Sequence, residues 1–153
     1  MNFHRILPHL YLGSLPQTAD DARTLARHGV THVLNVASDC VGKDAPVLVP
    51  GTAYALCAAD DDGNPKPDAW IAVCVDHGLS ALRHGTLYVH CRMGWNRSPS
   101  IVYALLRGMG WDSDRSVRHI HAQRPIPQLC IRYKADVDRY FARRVKGERY
   151  AFG

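Results

Sequence analysis

Apolar and polar positions along the chain follow two periods that alternate from the N-terminus onward. Short apolar runs rich in β-branched residues predict buried strands, and apolar residues spaced three or four apart predict helices with one buried face. Strands are predicted at 6–14 (a short pair), 30–37, 52–58 and 86–90, and helices at 17–28, 68–83, 98–109, 113–124 and 128–144. This order predicts an α/β domain whose central, mostly parallel sheet is flanked by helices on both sides.

Capping residues and prolines mark several of these boundaries. Asp68 is predicted to cap the start of the second helix, and Asp112 or Ser113 the start of the fourth. Pro125 and Pro127 interrupt the chain before the last helix, because proline cannot continue a helical hydrogen-bond pattern. The second half of the chain is therefore predicted to be mostly helical.

The stretch TLYVHCRMGWNRSPS, from Thr86 to Ser100, joins a predicted strand to a predicted helix through a short loop. We call residues 91–97 the anion-binding loop, because the N–H groups of such a loop converge and the helix N-terminus adds about half a positive charge. That field favours the thiolate form of Cys91 at the start of the loop. Arg97, at its end, supplies a planar guanidinium that can hold two oxygens of a phosphoryl group. The segment predicts a nucleophile and an anion-binding site in one place.

Length and composition limit the class of protein. The 153 residues, 46% hydrophobic and 22% charged, suit one globular domain, which we predict at 1–146 with a short tail at 147–153. The first residues contain no apolar run long enough for a signal peptide or a membrane span, so we expect a cytoplasmic protein. The net charge of +5 comes largely from basic residues spaced along the predicted last helix. That spacing indicates a solvated face and no nucleic-acid partner.

The cysteine count argues against a disulfide framework. Five is an odd number, and the chain has no secretion signal. No Cys or His spacing suggests a metal site, and we expect neither a metal nor another cofactor. Cys40, Cys57, Cys74 and Cys130 are interpreted as core thiols. The alternative that one of them traps oxidised Cys91 in a disulfide stays open.

The residues around the loop also resemble a known family. His90 and Cys91, then five residues, then Arg97 and Ser98 are similar to the signature of the cysteine-dependent protein tyrosine phosphatase superfamily. RMGWNRSPS resembles the loop of its small, atypical dual-specificity phosphatases, and ILPHLYLGSLPQ and GVTHVLNVAS resemble their N-terminal strand segments. The resemblance implies metal-independent hydrolysis of phosphotyrosine and of phosphoserine or phosphothreonine in proteins, through a phosphocysteine intermediate.

The chemistry of the residues and the resemblance together give each position a role. Cys91 attacks phosphorus, and Arg97 with the loop amides binds the three equatorial oxygens. Ser98 donates a hydrogen bond to the sulfur and eases its departure, and His90 orients the loop from below. Substrate contacts are expected from the remaining loop residues, which are Arg92, Met93, Gly94, Trp95 and Asn96.

A carboxylic acid is also needed to protonate the leaving oxygen. Three adjacent aspartates, Asp60 to Asp62, follow the strand at 52–58, and we call them the acidic turn. Asp60 is our choice, since it lies 31 positions before Cys91, a spacing similar to that of the family's general acid. Asp61 and Asp62 remain alternatives. Arg124 resembles an arginine common at that site in the family, although an ordinary surface residue is an equal interpretation.

Other functions compete with a protein phosphatase that acts on phosphorylated partners. A phosphoinositide phosphatase is one, because Gly94, Trp95 and Asn96 resemble the loop of myotubularin-type lipid phosphatases, although the loop lysines of lipid-type enzymes are missing. A phospho-binding module without turnover is disfavoured, because a pure binder has no use for a thiolate. An arsenate reductase or sulfur transferase would need relay cysteines close to Cys91 or a shorter loop. The oligomeric state is not predicted.

Overall fold

A five-stranded sheet lies at the centre of the structure, a computed structural model that describes residues 1–125 and 131–147. Its strands are β1 (Phe3–Leu7), β2 (Leu10–Gly13), β3 (His32–Ala37), β4 (Ala53–Ala59) and β5 (Leu87–His90). They lie in the order β1-β2-β5-β3-β4, with β1 antiparallel to β2 and the other neighbours parallel. The predicted, mostly parallel sheet is confirmed, and β5 is its central strand.

Helices pack on both faces of this sheet. They are α1 (Ala19–Arg27), α2 (Asp68–His84), α3 (Arg97–Gly108), α4 (Ser113–Gln123) and α5 (Lys134–Gly147). Successive strand residues point to opposite faces, and in β5 Leu87 and Val89 join the larger apolar cluster, whereas Tyr88 joins a smaller one with Leu25 of α1. The α/β architecture predicted from the order of elements is therefore confirmed.

Helix α3 is buried along most of its length, which fixes the end of the anion-binding loop. Each residue from Arg97 to Leu106 is buried, and the helix packs against α2, α4 and α5. The N-terminus of α3 consequently lies at the carboxyl end of the central strand, where parallel sheets usually bind ligands. None of the helices that the structure describes is long and apolar enough to cross a membrane.

The start of the first helix and the cap of the second differ from prediction. Helix α1 begins after Thr18, whose side chain and that of Asp21 form a reciprocal capping box. Asp68 does not cap α2, because Pro67 occupies the cap position without a side-chain hydrogen bond. The Asp68 carboxylate instead accepts a hydrogen bond from Arg143 on α5 (2.7 Å). Asp112, one of the two residues offered as the cap of α4, accepts from the Arg115 amide there.

Helix α5 begins at Lys134, so residues 131–133 of the predicted helix are not helical, and the predicted start at residue 128 lies outside the described residues. The reason is a tertiary contact: the Tyr133 amide donates to Ser100 Oγ on α3 (3.2 Å). Because the Tyr133 N–H is used by Ser100, it is not available for a hydrogen bond within a helix. The sequence periodicity contains no sign of this contact.

The cysteines other than Cys91 are consistent with the core-thiol interpretation wherever the structure describes them. Cys40, Cys57 and Cys74 are buried and free. Cys130 and Pro127 lie in residues 126–130, outside the described residues, as do residues 148–153 of the predicted tail.

Candidate active site

The anion-binding loop leads from the carboxyl end of β5 into α3. Cys91 is its first residue and is only 3% exposed. Its Sγ accepts a hydrogen bond from the Gly94 amide (3.3 Å) and lies 3.2 Å from Ser98 Oγ. Both groups can donate to sulfur, so the two contacts stabilise negative charge on the nucleophile predicted from the sequence.

The loop keeps its shape because two glycines allow close backbone contact. Gly94 has φ +74°, a left-handed conformation that other residues rarely adopt. A Cβ on Gly94 would lie 2.5 Å from the carbonyl carbon of Gly13, at the end of β2. The Leu15 amide also donates to the Arg92 carbonyl (2.9 Å), which fixes the loop to the same segment. Backbone contacts with the neighbouring strand therefore set the loop conformation.

Arg97 ends the loop with a buried guanidinium group. Its Nη1 donates to Asp39 Oδ1 (2.6 Å) and to the Ala59 carbonyl (2.9 Å). Its Nε is buried and has no hydrogen-bond partner among the described residues. Burial lowers the pKa of Arg97, but the hydrogen bond with Asp39 and the nearby negative charges raise it above its ordinary value. The Arg97 guanidinium is therefore permanently charged, and its Nε–H donor is not used by any described residue.

His90 lies beneath the loop and stacks on Tyr88. Its Nδ1 is 3.0 Å from the Cys91 carbonyl oxygen, and because a carbonyl only accepts, Nδ1 carries the proton. Burial lowers the pKa of His90 to about 4, so the imidazole is neutral near neutral pH. The contact is one through which His90 can orient the loop, the role predicted for it.

Arg124 supports the loop from behind, and its interpretation as a surface residue is wrong. It is 1% exposed. Its Nε donates to the Gly94 carbonyl (3.0 Å) and its Nη2 to the Met93 carbonyl (3.3 Å). Holding these carbonyls on one side turns the next N–H groups to the other side, because the C=O and N–H of a peptide unit point in opposite directions. His4 Nδ1, 2.9 Å from Arg124 Nη1, completes this buried contact.

Two members of the acidic turn have their described hydrogen bonds outside the anion-binding loop. Asp60 is exposed, and its carboxylate accepts a hydrogen bond from Ser38 Oγ. Asp62 accepts from Lys66 Nζ (2.8 Å). Hydrogen bonds from Lys66 and Asn64 lower the pKa of Asp62 to about 2. The Asp62 carboxylate is therefore bound to neighbouring residues of the turn itself. Asp60, in contrast, has no ion pair with a cation among the described residues.

Asp61 connects the acidic turn to the anion-binding loop. Its Oδ2 accepts from Asn96 Nδ2 (3.0 Å), and its Oδ1 accepts from Tyr133 Oη (2.7 Å) and Arg132 Nη1 (3.2 Å). Burial alone raises the pKa of Asp61, but the hydrogen bonds from Asn96 and Tyr133 and the charge of Arg132 outweigh it and lower that pKa. Asp61 is thus an ionised side chain with three fixed contacts.

A pocket of about 260 Å³ opens between the anion-binding loop and the acidic turn. The described residues that line it are Asp39, Asp61, Cys91, Arg92, Met93, Trp95, Asn96 and Arg97. The structure therefore brings the predicted nucleophile Cys91, Arg97 and four of the five expected substrate-contacting residues to one cavity, whereas Gly94 packs behind it and Asp60 is not part of its lining. Met93 and Trp95 are 52% and 38% exposed and form an apolar side of the opening.

Several residues of this site, among them Asp39 and Tyr133, were not singled out by the sequence analysis. Asp39 contacts both arginines of the loop, and Tyr133 holds Asp61. A signal for Asp39 did exist, since it follows β3, and the carboxyl ends of neighbouring parallel strands lie at one edge of a sheet. No comparable signal exists for Tyr133, which contacts a residue 72 positions away.

Comparison with known protein families gives one match over most of the chain. The family described as "Dual specificity phosphatase, catalytic domain" matches residues 10–142. Dual specificity protein phosphatase 1 of Arabidopsis thaliana is 31% identical over 119 residues, covering 76% of this chain and 58% of that protein. Protein phosphatase Slingshot homolog 3 of Mus musculus is 32% identical over 126 residues, covering 80% of this chain and 18% of that protein. The chain thus spans less than two thirds of either relative.

Solved structures show the same fold. Human DUSP28 superimposes with a TM-score of 0.73 at 26% identity, over 90% of this chain and 91% of that one. The human tyrosine phosphatase-like serine/threonine/tyrosine-interacting protein superimposes with a TM-score of 0.79 at 18% identity, over 94% of this chain and 97% of that one. At 18% identity the second likeness concerns the fold alone.

Proposed function

Because the chain belongs to the dual specificity phosphatase family, we propose that it is a metal-independent phosphoprotein phosphatase that works through a phosphocysteine intermediate on Cys91. One observation carries the proposal: a buried sulfur with two hydrogen-bond donors shares a pocket with an arginine whose Nε is unpaired among the described residues. A thiolate beside donors for an oxyanion is the arrangement that phosphoryl transfer to sulfur requires.

The first step transfers the phosphoryl group to the protein. The Cys91 thiolate attacks phosphorus, a P–S bond forms, and the P–O bond to the leaving group breaks. Arg97 and the loop amides hold the three equatorial oxygens, over which negative charge is spread in the transition state. The leaving oxygen takes a proton from a carboxylic acid, which prevents release of a costly alkoxide.

The second step returns the protein to its starting state. Water attacks phosphorus, its proton passes to the same carboxylate, and the P–S bond breaks to release phosphate and the thiolate. Ser98 Oγ, 3.2 Å from Cys91 Sγ, donates to the departing sulfur. Substrate contacts come from the outer part of the loop, with Met93 and Trp95 beside the phosphorylated side chain.

Asp60 remains our choice for the proton donor. The differing contacts in the acidic turn support it, because Asp61 and Asp62 have lowered pKa values and fixed cationic partners, Arg132 and Lys66. An ionised, paired carboxylate is a poor source of a proton. Asp61 nevertheless lines the pocket and Asp60 does not, so Asp60 has to reach the leaving group when substrate binds, with Asp61 holding the turn in place.

The proposed substrates are phosphotyrosine together with phosphoserine or phosphothreonine in proteins. The resemblance of Gly94, Trp95 and Asn96 to a lipid-phosphatase loop keeps a phosphoinositide substrate as an alternative, and the described pocket lining, with two aspartates and no lysine, disfavours it. A phospho-binding module without turnover is the other alternative, and it predicts binding of phosphopeptides with no release of phosphate.

The test is phosphate release from a phosphotyrosine peptide, a phosphoserine peptide and a short-chain phosphoinositide, with and without EDTA. We expect turnover of the peptides that EDTA does not reduce, little turnover of the lipid, and a mass increase of one phosphoryl group on Cys91 after rapid acid quench. Turnover of the lipid alone would establish the lipid alternative. Peptide binding without phosphate release would establish the binding module.

A further inference from the structure

The Asp39 carboxylate bridges the two arginines of the anion-binding loop. Its Oδ1 accepts from Arg97 Nη1 (2.6 Å) and its Oδ2 from Arg92 Nε (2.7 Å). Arg92 Nη2 also donates to the Asp39 main-chain carbonyl (2.7 Å). One residue from the loop after β3 therefore contacts both cations of a segment more than fifty positions away.

Among the described residues, these contacts occupy only Nη1 of the Arg97 guanidinium. Nη1 donates to Asp39 and to the Ala59 carbonyl, while Nε is buried and unpaired within the described part of the chain. Nε and Nη2 form the edge of the guanidinium that does not contain Nη1. Two parallel N–H groups on such an edge are what binds a phosphoryl group in the bidentate manner.

We propose that Asp39 is the positioning residue for Arg97: its carboxylate holds Nη1, so that the Nε–Nη2 edge binds two equatorial oxygens of the phosphoryl group. This inference rests on the proposed function and names a part of the same site. The opposite interpretation is competition, in which the Asp39 carboxylate takes the place of the substrate on Arg97. The unpaired Nε favours positioning, because a competing carboxylate would use the two-nitrogen edge that phosphate uses.

The ionisation of Asp39 supports the same role. Burial alone raises its pKa, but hydrogen bonds from Arg97 and Arg92 and the charge of Arg97 lower it to about 2. Asp39 is therefore ionised whenever the protein is folded and assayed. A variant that lacks this carboxylate should lose the same fraction of activity at every pH between about 4 and 8.

Replacement of Asp39, with a neighbouring acid as the matched control, tests the proposal. Asp44 lies 3.7 Å from Arg92 and has no described contact with Arg97. For Asp39→Ala on an aryl phosphate we expect kcat to fall about 10- to 100-fold with KM changed less than about threefold, as for a charged hydrogen bond used in the transition state. Asp39→Asn should lose less, because its amide oxygen still accepts from Nη1. Asp44→Asn should behave as wild type.

The same replacement in an Arg92→Ala background separates the two arginines. If Asp39 acts through Arg97, Asp39→Ala reduces kcat by a similar factor in this background. If the loss disappears there, Asp39 acts through Arg92 and the proposal is overturned. A fall in KM with unchanged or higher kcat would establish competition and also overturn it.

Measuring vanadate binding distinguishes a failure of the positioning role of Asp39 from a failure of the proposed function. Vanadate forms a trigonal-bipyramidal adduct with a thiolate and so presents the equatorial oxygens of the transition state. We expect its dissociation constant, measured by calorimetry, to rise about 10- to 100-fold in Asp39→Ala and little in Asp44→Asn. If the wild-type protein is inactive on every phosphate ester, the proposed function is wrong. If a folded Asp39→Ala variant binds vanadate as tightly as wild type, the positioning role of Asp39 is wrong.

Discussion

The floor of the pocket and its rim are built differently. On the floor, Cys91 Sγ contacts groups three and seven positions along the chain, the Gly94 amide and Ser98 Oγ. On the rim, Asp60 and Asp61 contact residues between 22 and 72 positions away, through side chains only. The groups proposed to bind the anion thus lie in one short segment, whereas the proposed proton donation depends on how separate loops pack. Substitutions in the floor and in the rim should therefore impair activity in different ways.

The largest effect is expected on the floor, at the nucleophile. Cys91→Ser should lower kcat on an aryl phosphate by at least about 10⁴-fold, because a serine hydroxyl stays protonated where a cysteine thiol can ionise. The floor itself should survive, so the variant should still bind a phosphotyrosine peptide, measured by fluorescence anisotropy. Activity within tenfold of wild type would rule out Cys91 as the nucleophile.

The next largest effect is expected on the rim. Asp60→Asn should lower kcat about 10²- to 10⁴-fold and remove the alkaline fall of the pH–rate profile, because a general acid must be protonated to act. The matched variant Asp61→Asn should lose only about tenfold, in keeping with a hydrogen bond that positions the turn. The measurement is kcat against pH with alkyl and aryl phosphates, since poor leaving groups need the acid more. A larger loss in Asp61→Asn would transfer the role to Asp61.

Replacing Arg124 tests whether the floor of the pocket also depends on a residue outside the anion-binding loop. Arg124→Met keeps the volume but leaves two loop carbonyls without their donor, so we expect a loss of about 1–3 kcal/mol in the free energy of unfolding. The kcat/KM should fall about 10- to 100-fold with it, since the loop amides lose their orientation. Urea unfolding and steady-state kinetics measure both, with Arg118→Met, at an exposed position on α4, as the control. Stability lost without activity would make Arg124 purely structural.

The smallest effect is expected at Ser98. Ser98→Ala removes one hydrogen bond to sulfur, worth about tenfold in the step that expels the thiolate. Because the first step needs it less, the phosphocysteine should accumulate, and release of the phenol should show a burst in stopped-flow absorbance. A reduced kcat without a burst would place the role of Ser98 in the first step.

The elements and the loop were predictable because their signals are local. The strand and helix periods, the turn at Gly94 and the pairing of Cys91 with Arg97 all lie within stretches of fewer than twenty residues. The errors share another origin. The predicted capping of α2 by Asp68 is wrong, because Pro67 occupies the cap position and Asp68 binds Arg143 of α5. The predicted last helix is wrong over residues 131–133, where the Tyr133 amide donates to Ser100 of α3.

The sequence by itself determined the α/β order and the central strand that ends in the anion-binding loop, and it predicts a nucleophile and an arginine within that loop. It could do so because backbone geometry and residue spacing within one segment create the oxyanion site. Only the tertiary structure decided that Arg124 is buried behind the loop, that Asp61 is held by Tyr133, and that Asp39 reaches Arg97. Those contacts depend on which strands become neighbours and where their loops meet, and this is settled by packing of the whole chain.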